Sequence, residues 1–173
     1  MTGAAPSETI VQLSQVLYRE AALLDDGCYE AWLELLHDDL VYTAPIREDL
    51  AQRAQPGEAA PEALALSFFQ DGKGSLTLRV GKLRTGLSQT ENPPSRVVRL
   101  ISNILVSPES APGEHPVRSA FLVYRQHRQR DVEMLAGHRL DVWRRTDRGW
   151  ALARREVRFA ANVLPVQSLP LFY

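Results

Sequence analysis

The fold is decided by the stretch from residue 97 to residue 160, in which four segments of alternating apolar and polar residues follow one another. The segments are 97–106 (VVRLISNILV), 117–126 (VRSAFLVYRQ), 133–144 (EMLAGHRLDVWR) and 149–160 (GWALARREVRFA). A period of two residues is typical of β-strands, because successive side chains point to opposite faces. The separators are too short for crossover helices, so the sequence predicts an antiparallel meander of four strands.

The residues before this stretch predict helices. From Ser7 onward, apolar residues recur every three or four positions, which is the stripe of an amphipathic helix, and Asp25, Asp26 and Gly27 end it. The stripe consists of Ile10, Leu13, Leu17, Ala21 and Leu24. A second helix is predicted over 29–36, and a third behind Ser75, where Leu76, Val80, Leu83 and Leu87 share a face.

Between these helices the pattern predicts a short edge-type strand at Leu40, Tyr42 and Ala44, which Pro45 closes. The run 64–68 fits a strand or a helix, and the polar segment 49–61 reads as a surface loop. Helices followed by strands predict an α+β fold. The chain of 173 residues is long enough for a single domain, 1–173, that needs neither disulfide nor metal to close its core.

Composition excludes several classes of function. The one cysteine, Cys28, cannot form a disulfide within the chain, and zinc-type Cys or His spacings and Gly-rich phosphate loops are absent from the sequence. No run of eighteen apolar residues and no secretory signal pattern occurs. We therefore expect a soluble protein of the reducing cytoplasm that does not enter a membrane.

The net charge of −1 conceals two opposed halves. Residues 1–75 contain 13 acidic and 4 basic side chains, whereas residues 76–173 contain 8 acidic and 16 basic ones. Arginines in this number suit bidentate pairing at a protein or nucleic-acid surface, or they face water and pair with the acidic half. Nucleic-acid binding would use seven strand arginines and two tryptophans, but the acidic first half opposes it. These residues are Arg139, Trp143, Arg144, Arg145, Arg148, Trp150, Arg154, Arg155 and Arg158.

His138 is the best candidate for chemistry. It shares a row with Met134, Ala136, Leu140 and Val142, which we expect to face the core, and a histidine there could act as a general acid or base. Its partners in a pocket would be Tyr18, Asp25 and Tyr42, with Trp32 as a further aromatic neighbour. The alternative is a hydrogen-bonded core histidine among ordinary packing residues.

Two other groups of residues are candidates for chemistry, one on the predicted strands and one at Cys28. His127 and His138, with Asp141 or Glu133, could bind a metal only if the strand register brought them together, and arginines surround His127. Cys28 lies near Asp25, Asp26 and Glu30, whose charges disfavour a thiolate.

The apolar segment 164–173 is expected to dock, either on its own chain or on a neighbouring subunit.

Several motifs follow one another in a fixed order along the chain. The first are Tyr18-Arg19-Glu20-Ala21, Tyr29-x-x-Trp32-Leu33 and Asp38-Asp39-Leu40-x-Tyr42. The middle ones are Leu83-Arg84-Thr85-Gly86, Glu91-Asn92-Pro93-Pro94-Ser95-Arg96 and Ser102-Asn103. The last are Gly137-His138-Arg139-x-Asp141-x-Trp143 and Gly149-Trp150-x-Leu152-Ala153-Arg154-Arg155. Together these motifs resemble the small (beta) subunit of aromatic-ring-hydroxylating dioxygenases, a Rieske non-haem iron oxygenase family.

This resemblance implies a cone-shaped fold similar to nuclear transport factor 2 (NTF2) and scytalone dehydratase, with N-terminal helices packed in a strongly curved sheet. It also implies a large (alpha) subunit that holds a Rieske [2Fe-2S] cluster and a mononuclear Fe(II). The two chains would assemble as an alpha3beta3 hexamer with beta-beta contacts, served by a ferredoxin and a reductase. The alpha subunit would dihydroxylate aromatic substrates with O2 and electrons from NAD(P)H.

In that interpretation the present chain is structural and carries no metal and no catalytic residue. The subunit interface would then use arginine-rich strand residues and the docked segment, namely Arg139, Trp143, Arg144, Arg145, Trp150, Leu169, Phe172 and Tyr173. The alternatives are a stand-alone dehydratase or isomerase with the cone fold, using His138, Tyr18, Asp25 and Tyr42, and a non-enzymatic module that binds a small ligand.

Overall fold

The computed structural model describes residues 5–46, 67–84, 95–127, 131–161 and 172–173. Within these described residues, three helices and six strands follow one another. They are α1 (Ser7–Asp25), α2 (Tyr29–Leu33), β1 (Leu36–Pro45), β2 (Ser67–Asp71), α3 (Lys73–Arg84), β3 (Arg96–Val106), β4 (Glu114–His127), β5 (Asp131–Thr146) and β6 (Gly149–Phe159). The α+β class is therefore confirmed. The predicted loop 49–61 and Leu87 lie outside the described residues.

The apolar stripe of α1 is buried as predicted, with Leu13 and Leu17 fully inaccessible to solvent. Gly27, at φ 69°, allows the chain to turn sharply into α2, a backbone conformation that other residues rarely adopt. The second helix is shorter than the predicted 29–36, because Leu36 already pairs with Leu152 of β6. The sheet hydrogen bonds of β6 therefore end this helix.

The strands form one six-stranded sheet in the order β2-β1-β6-β5-β4-β3. The meander from β3 to β6 is antiparallel, as predicted. Of the ambiguous run 64–68, Phe68 belongs to strand β2, which begins at Ser67, whereas 64–66 lie outside the described residues. The prediction of an edge strand at Leu40 to Ala44 is wrong. β1 lies between β2, to which it is antiparallel, and β6, to which it is parallel.

The concave face of the curled sheet encloses the helices, and the face of β5 that points inward is the opposite of the predicted one. The buried row contains Leu135, Arg139, Asp141 and Trp143, the last of them 0% exposed. Met134 is 62% exposed. Burial of Trp143 together with two charges that find partners outweighs burial of the aliphatic row, because paired charges lose much of their desolvation cost.

Gly137 lies where β5 packs closely against its neighbouring strands. An added Cβ would stand 2.3 Å from the carbonyl oxygen of Arg158 and 2.9 Å from the ring of Phe121. Such distances are well inside van der Waals contact, so the close approach of β5 to its neighbours depends on the missing side chain. None of the helices in the described part of the chain is long and apolar enough to span a membrane.

Candidate functional site

A network of buried charges lies inside the cone, between α1 and the last two strands. Arg155 of β6 donates to the Glu20 carboxylate at 2.7 and 2.9 Å and to the Asp141 carboxylate at 2.6 and 2.8 Å. Arg139 donates to Glu20 at 3.1 Å, and the indole N–H of Trp32 donates to the same carboxylate at 3.1 Å. All four charged side chains are at most 2% exposed.

The network keeps its members ionised in spite of burial. Burial alone would raise the pKa of Glu20, but the charges of Arg155 and Arg139 and the hydrogen bonds from Arg155 and Trp32 lower it below 4.5. Burial likewise acts to lower the pKa of Arg155, yet Asp141 and Glu20 raise it well above its usual value. The pKa of Arg139 is lowered, by burial and then by the charge of Arg155. Glu20 and Arg155 are therefore the pair on which the network depends.

Two buried polar atoms of the described residues have no hydrogen-bond partner, Arg139 Nε and Ser119 Oγ. Ser119 and Arg139 are directly opposite each other on β4 and β5. Nearly all buried polar groups in proteins have partners, often an ordered water. This point of the network is consequently the part that the protein's own groups satisfy least.

An aromatic cluster around Phe172 and Tyr173 fills the space beside the charges. The Phe172 ring lies 4.4 Å from the Trp32 ring and 5.7 Å, edge-on, from that of Tyr29. The guanidinium of Arg79 stands over the Phe172 ring, 4.8 Å from its centroid. Tyr173 packs edge-on against Phe159 at 5.1 Å. The two residues are 1% and 3% exposed, so they are core residues of their own chain.

The main chain of the same pair is held by polar groups of the cone. Arg99 donates to the carbonyl oxygen of Phe172 from Nη2 at 2.9 Å and from Nε at 3.3 Å. The Tyr42 hydroxyl donates to the oxygen of Tyr173 at 2.5 Å and accepts from its N–H at 2.7 Å. Arg155 also donates to that oxygen, at 3.1 Å. Burial raises the pKa of Tyr42 to about 12, so its hydroxyl remains a donor at neutral pH.

The predicted pocket of His138, Tyr18, Asp25 and Tyr42 does not form. His138 lies on the outer face of β5 and Tyr18 is 48% exposed on α1. Asp25 is paired with Arg99, through the Arg99 side chain at 2.5 Å and the main-chain N–H at 2.9 Å. Tyr42 points into the cone and Asp25 reaches it through Arg99, whereas His138 and Tyr18 lie outside it. The expectation failed because it assigned the wrong face of β5 to the core.

The strand register separates the two histidines of the candidate metal site, His127 and His138. His138 is opposite Ala120, whereas His127 is opposite Asp131, so the two histidines are seven register positions apart. At about 3.4 Å per residue this is roughly 24 Å along the sheet. Asp141 is committed to Arg155 inside the cone. Among the residues that the structure describes, no group of three or more His, Cys, Asp and Glu side chains could hold a metal ion.

The predicted interface residues divide into two groups. Arg139 and Trp143 are buried within the chain, and so are Phe172 and Tyr173, which dock on their own cone. These four residues are therefore not surface residues, contrary to expectation. Arg144, Arg145 and Trp150 do reach the surface, and Leu169 lies outside the described residues. Because Arg139 and Arg155 are buried, these two arginines are also not available to the candidate nucleic-acid surface.

Arg145 and Trp150 line a pocket of about 310 Å³ at one end of the cone, together with Gln12 and His115. The Gln12 side-chain oxygen accepts from Arg145 at 2.9 Å and from the Trp150 indole at 3.0 Å. The Arg145 guanidinium lies 5.1 Å from the Trp150 ring centroid. The polar groups of this pocket are thus engaged largely with one another.

Sequence reasoning missed Glu20 and Arg155 as partners. A signal existed, because Glu20 continues the spacing of Leu13, Leu17 and Leu24 on the buried face of α1. Arg155 likewise falls on the buried row between Ala153 and Val157. Charges at core positions on different elements indicate a buried ion pair, although their meeting in space cannot be read from either element alone.

The architecture of helices inside a curled sheet defines the fold class of the protein, the cone-shaped NTF2-like fold. An NTF2-like protein with a cystatin-like fold from Novosphingobium aromaticivorans superposes with a TM-score of 0.56 at 18% identity, covering 88% of this chain and 82% of the other. A chain of naphthalene 1,2-dioxygenase with indole bound in its active site superposes with a TM-score of 0.88 at 24% identity, covering 99% and 89%. At such identities these likenesses concern the fold.

Sequence similarity narrows the class to one family. The profile described as "Ring hydroxylating beta subunit" matches residues 19–166, so the chain belongs to that family. The 3-phenylpropionate/cinnamic acid dioxygenase subunit beta of Photorhabdus laumondii is 34% identical, over 94% of this chain and 90% of the relative. The biphenyl 2,3-dioxygenase subunit beta of Rhodococcus jostii is 33% identical, over 99% and 94%.

Proposed function

We propose that this chain is the structural beta subunit of a ring-hydroxylating dioxygenase and forms a single domain over residues 1–173. Its alpha partner would hold the Rieske [2Fe-2S] cluster and the mononuclear Fe(II), and would dihydroxylate an aromatic substrate with O2 and NAD(P)H-derived electrons. The assembly would be a cytoplasmic alpha3beta3 hexamer with beta-beta contacts, served by a ferredoxin and a reductase. It would bind neither nucleic acid nor membrane.

The observation that carries this proposal is similarity to dioxygenase beta subunits over nearly the whole chain, 94% and 99% of it for the two relatives. The interior supports the proposal. Glu20, Arg155 and Asp141 are engaged with one another, and Phe172 and Tyr173 fill the neighbouring space. This mutual engagement of the interior polar groups supports a scaffold role for the chain, with the chemistry left to a partner.

The residues of this chain do not fit a Rieske cluster. Such a cluster needs two cysteine thiolates and two histidines, whereas the sequence has a single cysteine, Cys28. Cys28 lies exposed at the start of α2. The cluster would therefore have to be held by another chain.

The outer face of the sheet offers a surface for that partner. Large apolar side chains of β3, β4 and β5 lie next to one another there, because Val98 pairs with Tyr124 and Tyr124 with Met134. We call this set, with its exposed fractions, the outer patch: Val98 (53%), Leu100 (59%), Tyr124 (37%), Val132 (51%) and Met134 (62%). Contiguous exposed apolar residues of this kind mark protein interfaces.

The charges around the outer patch favour a different chain as its occupant. The same face carries exposed Arg96, Arg118, Arg154 and Arg158, with Glu156 as the acidic residue paired to Arg158. A second copy placed face to face would bring two basic rims together, which costs free energy. We therefore assign the outer patch to an alpha subunit with an apolar surface and an acidic rim.

The first experiment is to purify a tagged copy of the chain anaerobically from its source cells and to measure the native mass and iron content. We expect a larger subunit in equal amount, with iron and a Rieske-type spectrum. The double variant Leu100→Lys/Met134→Lys should weaken this association by at least about tenfold, since it places charge in the interface core. Leu78→Lys is the matched control, because Leu78 is 71% exposed on α3, outside the outer patch.

A small, iron-free homo-oligomer would overturn the proposal and favour a stand-alone enzyme or a binding module. If the complex forms but the double variant assembles like the control, the assignment of the outer patch is wrong. In that case Arg144→Ala and Arg145→Ala, at the other predicted contact surface, test the remaining surface residues of the sequence prediction.

A further inference from the structure

The surroundings of Phe172 resemble a ligand-binding site more than an ordinary packing contact, because they recognise both ends of one chemical group. Trp32, Tyr29 and Arg79 surround the ring. Arg99 places two N–H donors on the carbonyl oxygen, at 2.9 and 3.3 Å. The amide nitrogen that follows this carbonyl, which belongs to Tyr173, donates to the Tyr42 hydroxyl at 2.7 Å.

The atoms held in this way make up a defined small molecule. The ring, Cβ, Cα and carbonyl of a phenylalanine, with the next amide nitrogen, are the skeleton of 3-phenylpropanamide. Its ring would take the contacts of the Phe172 side chain, its oxygen those made by Arg99, and its nitrogen that made by Tyr42. Concave apolar walls with a few convergent polar groups are the usual form of a small-molecule site.

The charges in the cone decide between a neutral and an anionic form of the group. Each arginine near the pair is already matched by a carboxylate. The matched pairs are Arg99 with Asp25, Arg79 with Asp71, and Arg139 and Arg155 with Glu20 and Asp141. A carboxylate in place of the Phe172 carbonyl would add an uncompensated buried charge, which is unfavourable. We call the groups around Phe172 the cage, namely Tyr29, Trp32, Tyr42, Arg79 and Arg99. The cage therefore suits an amide rather than an acid.

We propose that the cone contains a binding site for a neutral 3-arylpropanamide group, and that Phe172 with its peptide bond is the occupant built into the chain. A free amide of this class and the Phe172–Tyr173 pair exclude each other, so the unaltered chain binds the amide only where the pair has left the cage. This proposal does not depend on the partner subunit, since every group in it belongs to this chain.

The test uses the full chain, in the assembly in which it purifies, against a variant that lacks residues 172 and 173. The probe is 3-phenylpropanamide, and binding is measured by calorimetry and by the shift of the thermal unfolding midpoint. We expect the variant to bind it at least about tenfold more tightly than toluene, which has only the ring, or propanamide, which has only the amide. We expect 3-phenylpropanoate to bind about tenfold more weakly than the amide, because of its charge.

Two control variants separate recognition from cavity filling. Arg99→Lys in the shortened chain keeps the charge but removes the paired donors, so the preference for the amide over toluene should disappear. Leu17→Ala in the unaltered chain opens a core cavity while Phe172 and Tyr173 stay in place, so this variant should not be stabilised by the amide. The unaltered chain should show no binding at concentrations that saturate the shortened one.

If the shortened chain does not fold, refolding it with and without the amide is the readout, and recovery only with the amide supports the proposal. Phe172→Ala is the second variant. It keeps the main-chain carbonyl on Arg99, so toluene should stabilise it at least as well as the amide. Failure of the shortened chain to bind or refold with the amide, or equal binding of amide and toluene by it, overturns the proposal.

Discussion

Arg155→Met should destabilise the protein strongly, because Arg155 holds two buried carboxylates at once. Its guanidinium makes four hydrogen bonds of 2.6 to 2.9 Å to Glu20 and Asp141, at 0% exposure. Removing it leaves Glu20 with Arg139 and Trp32, and leaves Asp141 with the Trp143 indole at 3.3 Å. Breaking one buried ion pair in this way typically costs about 3–5 kcal/mol.

That loss can be measured as a shift of the unfolding midpoint. For a domain of this size, 1 kcal/mol corresponds to about 2–4 °C, so Arg155→Met should lower the midpoint by roughly 6–20 °C. Arg158→Met is the matched control, since it removes the same type of side chain three positions further along the same strand, from a pair exposed at 44% and 33%. Exposed pairs contribute less than about 1 kcal/mol, so this control should remain near the parent.

The stability of the parent chain and that of the Arg155→Met variant should respond to falling pH in opposite directions. In the parent chain the pKa of Glu20 is lowered on folding, so the unfolded state binds more protons and stability falls as pH drops below about 4.5. Without Arg155, burial dominates and raises the pKa of Glu20 in the folded state. The folded variant then binds more protons, and its stability increases as pH falls from 7 toward 4.5.

Urea unfolding of both proteins between pH 4 and pH 8, followed by circular dichroism, measures this difference. We expect the gap in the free energy of unfolding to narrow as the pH falls. A loss smaller than about 1 kcal/mol at pH 7, or the same pH slope in both proteins, would show that the network does not stabilise the fold as argued.

Three further substitutions test the packing by the same unfolding measurements, and two of them have a matched control substitution at a site with free space or high exposure. Leu17→Ala should cost about 2–5 kcal/mol, because Leu17 is 0% exposed in the core, whereas Leu78→Ala, at 71% exposure, should cost little. Gly137→Ala should cost about 1–3 kcal/mol through its steric clash, whereas Gly81→Ala has free space and should stabilise α3 by about 0.5–1 kcal/mol. Tyr42→Phe should cost about 1–3 kcal/mol, since it leaves the buried polar groups of Tyr173 with fewer partners; an unchanged midpoint in Leu17→Ala, Gly137→Ala or Tyr42→Phe would contradict the packing described.

Much of the fold was predictable, because local periods carry it. The four strands and the helices α1 and α3 follow from spacings of two or of three to four residues, and the structure places them within a few residues of the prediction. The end of α2 was not predictable, because Leu36 is taken by a partner strand that lies far away in the sequence. The position of β1 inside the sheet, between β2 and β6, was not predictable for the same reason, because β6 is distant in the sequence.

The interior was harder to predict, because counting apolar residues selected the wrong face of β5. The predicted row contains four apolar side chains, whereas the opposite row contains Leu135 and Trp143 beside its charged residues. The opposite row, with Arg139 and Asp141, nevertheless points inward. Their burial is possible only because Glu20 and Arg155 arrive from α1 and β6. Glu20 lies 119 positions from Arg139 and 135 positions from Arg155, and no local pattern contains compensation over such separations.

The parallel pairing of β1 with β6 has a consequence for how the protein is made. Tyr42 pairs with Arg155, and its hydroxyl bonds to Tyr173, which lies 131 positions later. β6 is the last strand to be synthesised, so β1 keeps an unpaired edge until nearly the whole chain has left the ribosome. Long-range closure of this kind slows folding and leaves the nascent chain open to aggregation. We therefore expect the yield of soluble protein to depend on the rate of translation and on chaperones, and the early half of the chain to be unable to fold alone.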